Sequence, residues 1–510
     1  MKLALLPPLS SATRSLGWVV VVYAVLLFLL SSLRHGLFQS GALDLGYHDQ
    51  ILYLLSIGQP PIVSFWGYHF LGGHAEWIYY GLALIYRIYA DVHWLLAIQA
   101  LSLAIALWPL LALCRQAGLT QHQSWTVGIA YLLYPLVFNI NLFDFHPEVM
   151  AVPLIFAAVL AARGERPLGF AIATTLILGC RASLSLLLIT MGLWLVIFEC
   201  RRWYGVYAIA IGSTWFLIVT QLLIPFFKPD GHHALSHYGS LGSSLGEVMR
   251  NALLRPDLLM QQLFTLANLE YLVLLLVPLI WGLSWRHLTP LVGSASILGL
   301  NLLSDSAALK NIVFQYSLPI LPFLLLAVIA AQVAGAGWLR RRRWIVLWCL
   351  IAFAALARYP YFWGDYLSAV DTWSATRQAI AQIDDRNSVL TTHSIVPHLT
   401  HRVHIDYTTE AHRNSSLNQY AYVLLNLRHP AYGSSPELAH HLLARLQTSS
   451  IFELKFSQAE VYLFIQPLLL AQEIVGSHHY HLPHNGQIAD DGSLQNGEPV
   501  AYLKSRPQQE

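Results

Sequence analysis

Long apolar runs separated by short polar segments make up residues 1–358. A helix that crosses a bilayer needs about 20 mostly apolar residues. On this basis we predict about eleven spans, several of which, especially the pair around Cys180, are short for a full crossing. The predicted spans are 16–35, 93–114, 124–142, 149–163, 167–181, 183–199, 203–226, 268–285, 288–304, 313–334 and 344–359. The pattern predicts a polytopic α-helical membrane protein.

Basic residues between the apolar runs assign the two sides, because Lys and Arg are enriched in cytoplasmic loops. Eleven crossings put every basic cluster on the cytoplasmic side and leave the C-terminus outside. The clusters are Lys2 with Arg14, Arg115, Arg163 with Arg166, Arg201 with Arg202, Arg286, and Arg340 to Arg343. The run Leu16 to Leu33 is too long for a signal-peptide core and has no clean small-residue cleavage site. We therefore interpret it as a retained first span with a cytoplasmic N-terminus.

Residues 75–90 form one apolar stretch that does not fit this topology as a crossing. Counting it as a span would place Arg115 outside and invert everything downstream. Its tryptophan and tyrosines favour the bilayer interface, so we predict a helix lying flat in the outer interface. A true span with a different topology is the alternative. The first external loop then runs over 35–91 and carries Asp44, His48, Asp49, His69, His74 and Glu76.

The composition changes after Tyr359, where apolar runs shorten to strand length and histidines increase. Strands are predicted at 388–392, 422–427 and 461–466, with helices at 371–384 and 436–447. Strands that alternate with helices predict a small extracytoplasmic α/β domain over 359–475. Residues 476–510 are rich in His, Gly, Asn and Gln, which predicts a loosely ordered tail.

Composition supports the membrane assignment, since 56% of the 510 residues are hydrophobic and 11% are charged. A soluble globular chain carries about 25% charged residues. The net charge of +2 is small and the basic residues are scattered, so neither indicates binding of nucleic acid. The four cysteines lie in or beside apolar segments, which predicts packing roles and no disulfide framework in the C-terminal domain.

The segment DLGYHDQ, just after the first span, holds the leading candidates for chemistry. Asp44 and Asp49 could each act as a general base or bind a divalent cation, and His48 lies between them. Asp44 could equally cap the helix that begins at Leu45, because Asp is a favoured N-cap residue. Both interpretations are open, and one residue can do both.

Two further turns carry ionisable groups on the same predicted side. FDFHPE holds Asp144, His146 and Glu148, which could supply metal ligands or proton relays, although Glu148 also suits the first turn of the next helix. Arg181, in CRAS, could clamp a phosphate with its planar guanidinium or simply set topology at a helix end. We predict that the first loop and these two turns form one site.

The histidine-rich segment 391–407 invites a metal site, but polar surface histidines explain His393, His398, His401 and His404 more simply. The chain has no Walker motif, no G-x-G-x-x-G, no G-x-S-x-G and no HExxH. The sequence therefore gives no support for a nucleotide hydrolase, a serine hydrolase or a zincin.

Five segments together resemble the bacterial membrane proteins called domain of unknown function 2079. They are DLGYHDQILYLLSIGQPP, HFLGGHAEWIYY, YLLYPLVFNINLFDFHPEVMAVPL, FQYSLPILPFLL and SVLTTHSIVPHLTHRVHIDY. That family looks related to the GT-C glycosyltransferases, which use lipid-linked sugar donors. The resemblance implies a GT-C-like fold, a long first loop with interfacial helices, and an acidic residue matching Asp44 or Asp49. Family members often carry an acidic stretch where this chain has Cys180, Arg181 and Ala182, so its activity is open.

Together these features predict transfer of a sugar from a polyprenyl-phosphate donor to an envelope acceptor on the outer face of the bacterial plasma membrane. Asp44 and Asp49 are the expected catalytic residues. The expected substrate-binding residues are His48, His74, Asp144, His146, Glu148 and Arg181. Asp44, Asp144 and Glu148 could hold Mg²⁺ or Mn²⁺ as a cofactor. A membrane transporter and an inactive envelope-binding scaffold are the alternatives, and the donor sugar, acceptor and oligomeric state are open.

Overall fold

A computed structural model describes residues 11–229 and 233–476. Lys2 and nearly all of the predicted tail lie outside these ranges. The described chain is a helical bundle followed by a small mixed sheet that packs against the first loop.

Among the described residues, five helical segments are long and apolar enough to cross a bilayer. They are Ser15–Gly36, His93–Gln116, Gln121–Phe143, Arg202–Phe227 and Gln315–Val333. Each coincides with a predicted span. Exposed tryptophans on two of these helices, Trp18 and Trp203, give the bundle the apolar outer surface that a lipid environment favours.

Six further predicted spans also coincide with helices, but these are bent or short. Two bent pairs pass the same length and apolarity test, which raises the total for the described chain to seven. The pairs are Pro256–Leu263 with Leu266–Gly282, bent by 58°, and Arg342–Leu356 with Tyr359–Leu367, bent by 51°. The short helices are Glu148–Arg163, Pro167–Cys180, Leu184–Ile197 and Thr289–Leu303. Five to seven spans are therefore supported by length, and the full count of eleven stays a prediction.

The stretch 75–90 contains the helix Tyr79–Ile88. Its 10 residues rise about 15 Å, half the thickness of a hydrocarbon core. Tyr79, Ala83 and Tyr86 are buried on one face, whereas Leu84 and Ile88 are exposed on the other. A short amphipathic helix fits an interfacial position, and its orientation to the bilayer stays a prediction.

Other short helices complete the bundle and its connections. They are Tyr47–Ser56, Leu245–Leu254 and, within the bent or composite segments above, His93–Ile105, Leu107–Gln116, Gln121–Leu132, Pro135–Phe143, Arg202–Ile218, Ile224–Phe227, Leu266–Leu276, Ala295–Leu303 and Leu321–Val333. Helices Leu184–Ile197 and Arg202–Ile218 approach closely through glycines. A Cβ at Gly192 would lie 2.6 Å from the carbonyl oxygen of Gly205, so only glycine permits this contact.

The C-terminal domain is a five-stranded sheet with helices Val370–Ile380, Pro436–Gln447 and Pro467–Gly476. Numbering continues from the hairpin β1 (Ile62–Val63) and β2 (Tyr68–His69) in the first loop. The strands of the sheet are β3 (Val389–Thr391), β4 (Ile405–Tyr407), β5 (Tyr422–Asn426), β6 (Glu453–Gln458) and β7 (Val461–Ile465). Their order is β4-β3-β5-β7-β6, with β3 parallel to β4 and β5, and β7 antiparallel to β5 and β6.

Three of these strands and two of the helices match the sequence prediction, but β4 and β6 were not predicted. Strand β4 has three residues, and in β6 five of the six residues are exposed and one is half-buried. Their sequences therefore lack the apolar run that identifies a buried strand.

Buried and partly buried hydrogen bonds join the sheet domain to the first loop. The Gln50 amide donates to the carbonyl oxygens of Arg402 and Val403, at 3.2 and 3.3 Å. The Ser64 hydroxyl donates to the carbonyl oxygen of Ile405, at 2.5 Å. The loop is thereby held between the helical bundle and the sheet, and this fixes the position of the residues that follow the first span.

Candidate active site at the first loop

The first loop and the FDFHPE and CRAS turns meet at one end of the bundle, as predicted. Nε2 of His146 lies 3.3 Å from Oδ1 of Asp44, which joins the first two segments. Arg181 pairs with Glu148, which joins the second to the third. These contacts do not establish the roles of the residues, which stay predictions.

Asp44 does not cap a helix, so that alternative is wrong. It lies inside a π-helical turn, Ala42–Gly46, whose N-cap is Gly41 and which has no side-chain cap. Such π turns occur frequently at functional sites because the extra residue redirects a side chain. The Asp44 side chain is 30% exposed, so a ligand can reach it.

Asp144 occupies a strained position. Its φ of 123° and ψ of 175° belong to a region that almost only glycine adopts, at a cost of about 1–3 kcal/mol. Arg34 Nη1 lies 2.5 Å from Oδ1 of Asp144, and the Gly41 amide donates to Oδ2 at 2.9 Å. Burial raises the pKa of Asp144, and Arg34 opposes that shift. Asp144 thereby anchors the first loop at Gly41, three residues before Asp44.

Arg181 is the centre of a second group. Besides Glu148, its guanidinium lies 3.3 Å from Nε2 of His74 and 5.6 Å from the centre of the Tyr316 ring. Pairing with Glu148 and burial set the side chain in one place, with 13% of it exposed. A guanidinium held in this way is suited to a phosphate or carboxylate oxygen.

His48 and Asp49 point away from open solvent. His48 Nδ1 lies 2.5 Å from the Tyr79 hydroxyl, and the ring is buried. Asp49 is fully buried and accepts from the Tyr86 hydroxyl at 2.6 Å and from the Thr400 hydroxyl. Nε2 of His401 lies 3.1 Å from Oδ2 of Asp49, the same oxygen that accepts from Thr400, whereas Tyr86 donates to Oδ1. Asp49 therefore links the first loop to the sheet domain. Its carboxylate is closed to a ligand in this structure, which does not favour the predicted catalytic role.

Two cavities open beside Asp44, and Asp44 lines both. The first has a volume of about 150 Å³ and the second about 530 Å³. The first is lined by polar and aromatic side chains, including Tyr47, His48, Trp66, Tyr68, His74, Glu76, His146, Arg181, Lys228 and Tyr316. The second lies against the sheet domain and is lined by groups that include Arg34, Gln39, Ser40, Asp144, Ser368, His393, Ser394, Arg428 and His429.

Within the described part of the chain, no group of three or more His, Cys, Asp or Glu side chains is arranged to hold a metal ion. Of the proposed cation ligands, Asp144 is held by Arg34 and Glu148 by Arg181. Of these three carboxylates, only that of Asp44 lines the cavities without an arginine partner among the described residues. The donor set thus does not fit a Mg²⁺ or Mn²⁺ ion held by these three residues, and that cofactor stays a sequence prediction.

The interpretation of segment 391–407 as bearing ordinary surface histidines is wrong, because all four are half-buried. Three of them pack against residues of the first span or the first loop. His398 stacks on His35 with a ring separation of 4.0 Å, and His401 stacks on Tyr53 at 5.1 Å. His393 packs against Gly41, where an added Cβ would lie 2.6 Å from its ring. Burial lowers the pKa of His393 to about 4 and that of His398 to about 3. These histidines form the contact between the sheet domain and the first loop.

Several residues that line the cavities were not predicted from the sequence as site residues. They are Arg34, Glu76, Lys228, Tyr316 and Arg428. Arg34 and Tyr316 belong to predicted spans, and Tyr316 also lies in the family-resembling segment FQYSLPILPFLL. Arg428 lies in a polar segment without a motif. Glu76 carried a signal, because it is an acidic residue in an otherwise apolar, aromatic stretch.

Comparison with known proteins agrees with this architecture. The family of predicted membrane proteins with domain of unknown function 2079 (DUF2079) matches residues 34–463. The chain belongs to this family. The match spans both the bundle and the sheet domain of this DUF2079 protein, so the two are parts of one family architecture. No curated protein sequence matches the chain.

One solved structure shares the fold. The DUF2079 chain is similar to ArnT from Cupriavidus metallidurans bound to undecaprenyl phosphate, with 12% identity and a TM-score of 0.51. The similarity covers 89% of this chain and 98% of ArnT. ArnT from the same organism in the apo state matches with the same identity and coverage and a TM-score of 0.43. The first likeness confirms the predicted GT-C-like membrane fold and carries no information about substrates.

Proposed function

We propose that this DUF2079 protein transfers a sugar from a polyprenyl-phosphate-linked donor to an acceptor of the cell envelope, at the outer face of the bacterial plasma membrane. The observation that carries the proposal is the position of Asp44 between two cavities, one of which holds the cations Arg181 and Lys228. The fold shared with ArnT, whose structure holds undecaprenyl phosphate, is consistent with it.

The smaller cavity suits the phosphate end of the donor. Arg181 and Lys228 line it, and cations stabilise the negative charge that a phosphate leaving group develops. The aromatic side chains of Tyr47, Trp66 and Tyr68 offer apolar faces on which a sugar ring can stack. In this arrangement the lipid tail stays in the bilayer and only the headgroup enters the protein.

Asp44 is the proposed general base. An acceptor hydroxyl attacks the anomeric carbon of the donor sugar, and the Asp44 carboxylate takes the hydroxyl proton. The new bond between acceptor oxygen and anomeric carbon forms as the bond between that carbon and the phosphate oxygen breaks. The polyprenyl phosphate leaves with the electron pair. His146, at 3.3 Å from Asp44, orients the carboxylate, and the positive charge that it carries when protonated stabilises the ionised base.

The transfer proposal is tested first at the level of donor binding, which needs no knowledge of the sugar. Undecaprenyl phosphate is titrated onto the purified protein in nanodiscs, and bound lipid is counted by native mass spectrometry. Lys228→Ala should weaken binding by about tenfold or more, because one charge-assisted contact to phosphate is lost. Arg201→Ala, which removes a cation paired with Glu165 far from the cavity, is the control.

Equal lipid binding by Lys228→Ala and the wild-type protein would argue against the phosphate assignment. No binding by the wild-type protein would argue against the lipid donor altogether. If Lys228→Ala binds the lipid as well as the Arg201→Ala control does, a transporter becomes the alternative. Transport of a substrate into liposomes would then be the next assay.

A further inference from the structure

Glu76 is a buried acid in the wall of the smaller cavity. It is 1% exposed, and both carboxyl oxygens lack a hydrogen-bond partner among the described residues. Buried polar groups are nearly always paired, so an orphaned carboxyl at a cavity wall indicates a partner that the protein itself does not supply.

The local chain path fixes this position. The backbone amide of Ala182 donates to the carbonyl oxygen of His74 at 2.9 Å, and that of Ile78 donates to the carbonyl oxygen of Gly179 at 3.1 Å. The Trp77 ring covers Gly179, where an added Cβ would lie 2.9 Å away. These contacts hold the segment around Glu76 against the CRAS turn and bring it beside Arg181.

Arg181 does not neutralise Glu76, because its guanidinium pairs with Glu148 instead. Two carboxyls therefore share one arginine, and the unpaired one is favoured in its neutral form by desolvation. Burial raises the pKa of Glu76 to about 8. The positive charge of Arg181 lowers this pKa, and the negative charge of Glu148 raises it. The other titratable groups that interact with Glu76 are Tyr47, Tyr68, Tyr79 and Cys180.

We propose that Glu76 binds the phosphate of the donor lipid as a neutral carboxylic acid, donating its O–H to a phosphate oxygen beside Arg181 and Lys228. A protonated carboxyl supplies one donor, whereas an ionised one only accepts and repels the phosphate. The inference rests on the proposed function, since it assigns the same cavity to a phosphate. It makes Glu76 a donor-binding residue whose protonation makes the affinity for the donor depend on pH.

The expected behaviour is specific. Above pH 8 the affinity of the wild-type protein for undecaprenyl phosphate should fall, by up to about tenfold per pH unit, as Glu76 ionises. The lipid's own second ionisation, near pH 6, is largely complete by then. Glu76→Gln keeps a neutral N–H donor, so it should bind with near wild-type affinity at pH 7 and lose the decline.

The experiment measures undecaprenyl phosphate binding in nanodiscs of zwitterionic lipid from pH 7 to 10, with EDTA and with Mg²⁺ in parallel. The variants are Glu76→Gln, Glu76→Ala and the control Glu165→Gln, a largely exposed acid at the other end of the bundle. Glu76→Ala should lose affinity about 10- to 100-fold at pH 7, because a hydrogen bond to a charged group is lost. Glu165→Gln should follow the wild-type curve.

Three results would overturn the assignment of Glu76 while leaving the proposed function in place. They are a flat wild-type profile, an unchanged decline in Glu76→Gln, and a loss of binding in Glu76→Gln that is reproduced in the wild type by EDTA. The last would mean that Glu76 works as an ionised cation ligand. Absence of wild-type lipid binding at every pH would instead remove the proposed function itself.

Discussion

Nε2 of His146 lies 3.3 Å from the carboxylate of Asp44, although the two residues belong to different polar segments separated by two predicted spans. Burial lowers the pKa of His146, but the hydrogen bond and the charge of Asp44 outweigh burial, and the pKa is raised overall. A protonated imidazole at this distance keeps the carboxylate ionised and oriented, which is the state that a general base needs.

Asp44→Asn should lose most sugar transfer while the protein still folds and inserts. General-base assistance contributes about 10²–10⁴-fold in rate, so a loss of that size is expected in kcat with little change in donor binding. Transfer of radiolabelled sugar from membrane lipids provides the measurement. Asp91→Asn changes an acid of the same loop that pairs with His93 outside the cavities, and it should retain activity. Retained activity in Asp44→Asn would exclude Asp44 as the base.

The pair Arg181 and Glu148 should show strong coupling in stability. Arg181→Met alone leaves the buried Glu148 without its partner, which costs about 3–5 kcal/mol of unfolding free energy. The double variant Arg181→Met with Glu148→Gln removes both charges and should recover most of that loss. Unfolding in detergent, followed by tryptophan fluorescence, measures the four corners of the cycle. Additive effects of the two substitutions would contradict a buried ion pair.

The attachment of the sheet domain should weaken as pH rises above neutrality. Burial lowers the pKa of His401, but Asp49 raises it further, so this group stabilises the fold below about pH 6.5 and loses its contribution as pH rises through its folded value. Burial raises the pKa of Asp49, but His401 and hydrogen bonds lower it overall, so its contribution is lost only as pH falls below about 4. The link is strongest between these limits.

The melting temperature should therefore decline as the pH rises above about 6.5, and His401→Gln should flatten that decline. The effect corresponds to about 1 kcal/mol or less, because the His401 side chain is 32% exposed. The exposed His122 provides the control, since His122→Gln should keep the wild-type profile. An identical decline in His401→Gln would show that other groups determine it.

Topology can be tested with a native cysteine as the internal control. Cys200 is exposed beside Arg201 and Arg202, on the predicted cytoplasmic side, whereas the other three cysteines are buried. A membrane-impermeant maleimide should label an added cysteine at the exposed Ser416 in intact cells. Cys200 should react only after permeabilisation. The reverse order of labelling would invert the predicted topology.

The sequence determined the class of protein and the place of its helices, because each span must bury its own backbone hydrogen bonds and therefore needs a continuous apolar run. All eleven predicted segments coincide with helices. Helix length separates the segments that are long enough to span a bilayer from the shorter ones. For a short helix such as Pro167–Cys180, composition does not show whether the helix crosses the membrane. Charge asymmetry predicted the sides, and the family resemblance placed the acidic residues of the first loop.

Which polar residues meet was decided only by the tertiary structure, because side-chain partners come from segments far apart in the chain. Asp44 and Asp49 have the same residue type and lie five positions apart, yet one faces two cavities and the other is enclosed by Tyr86, Thr400 and His401. Asp44 lies in a π turn that lines the cavities, and Thr400 and His401 of the docked sheet domain cover Asp49. Neither a local helix deformation nor a long-range contact leaves a pattern that single-sequence periodicity can detect.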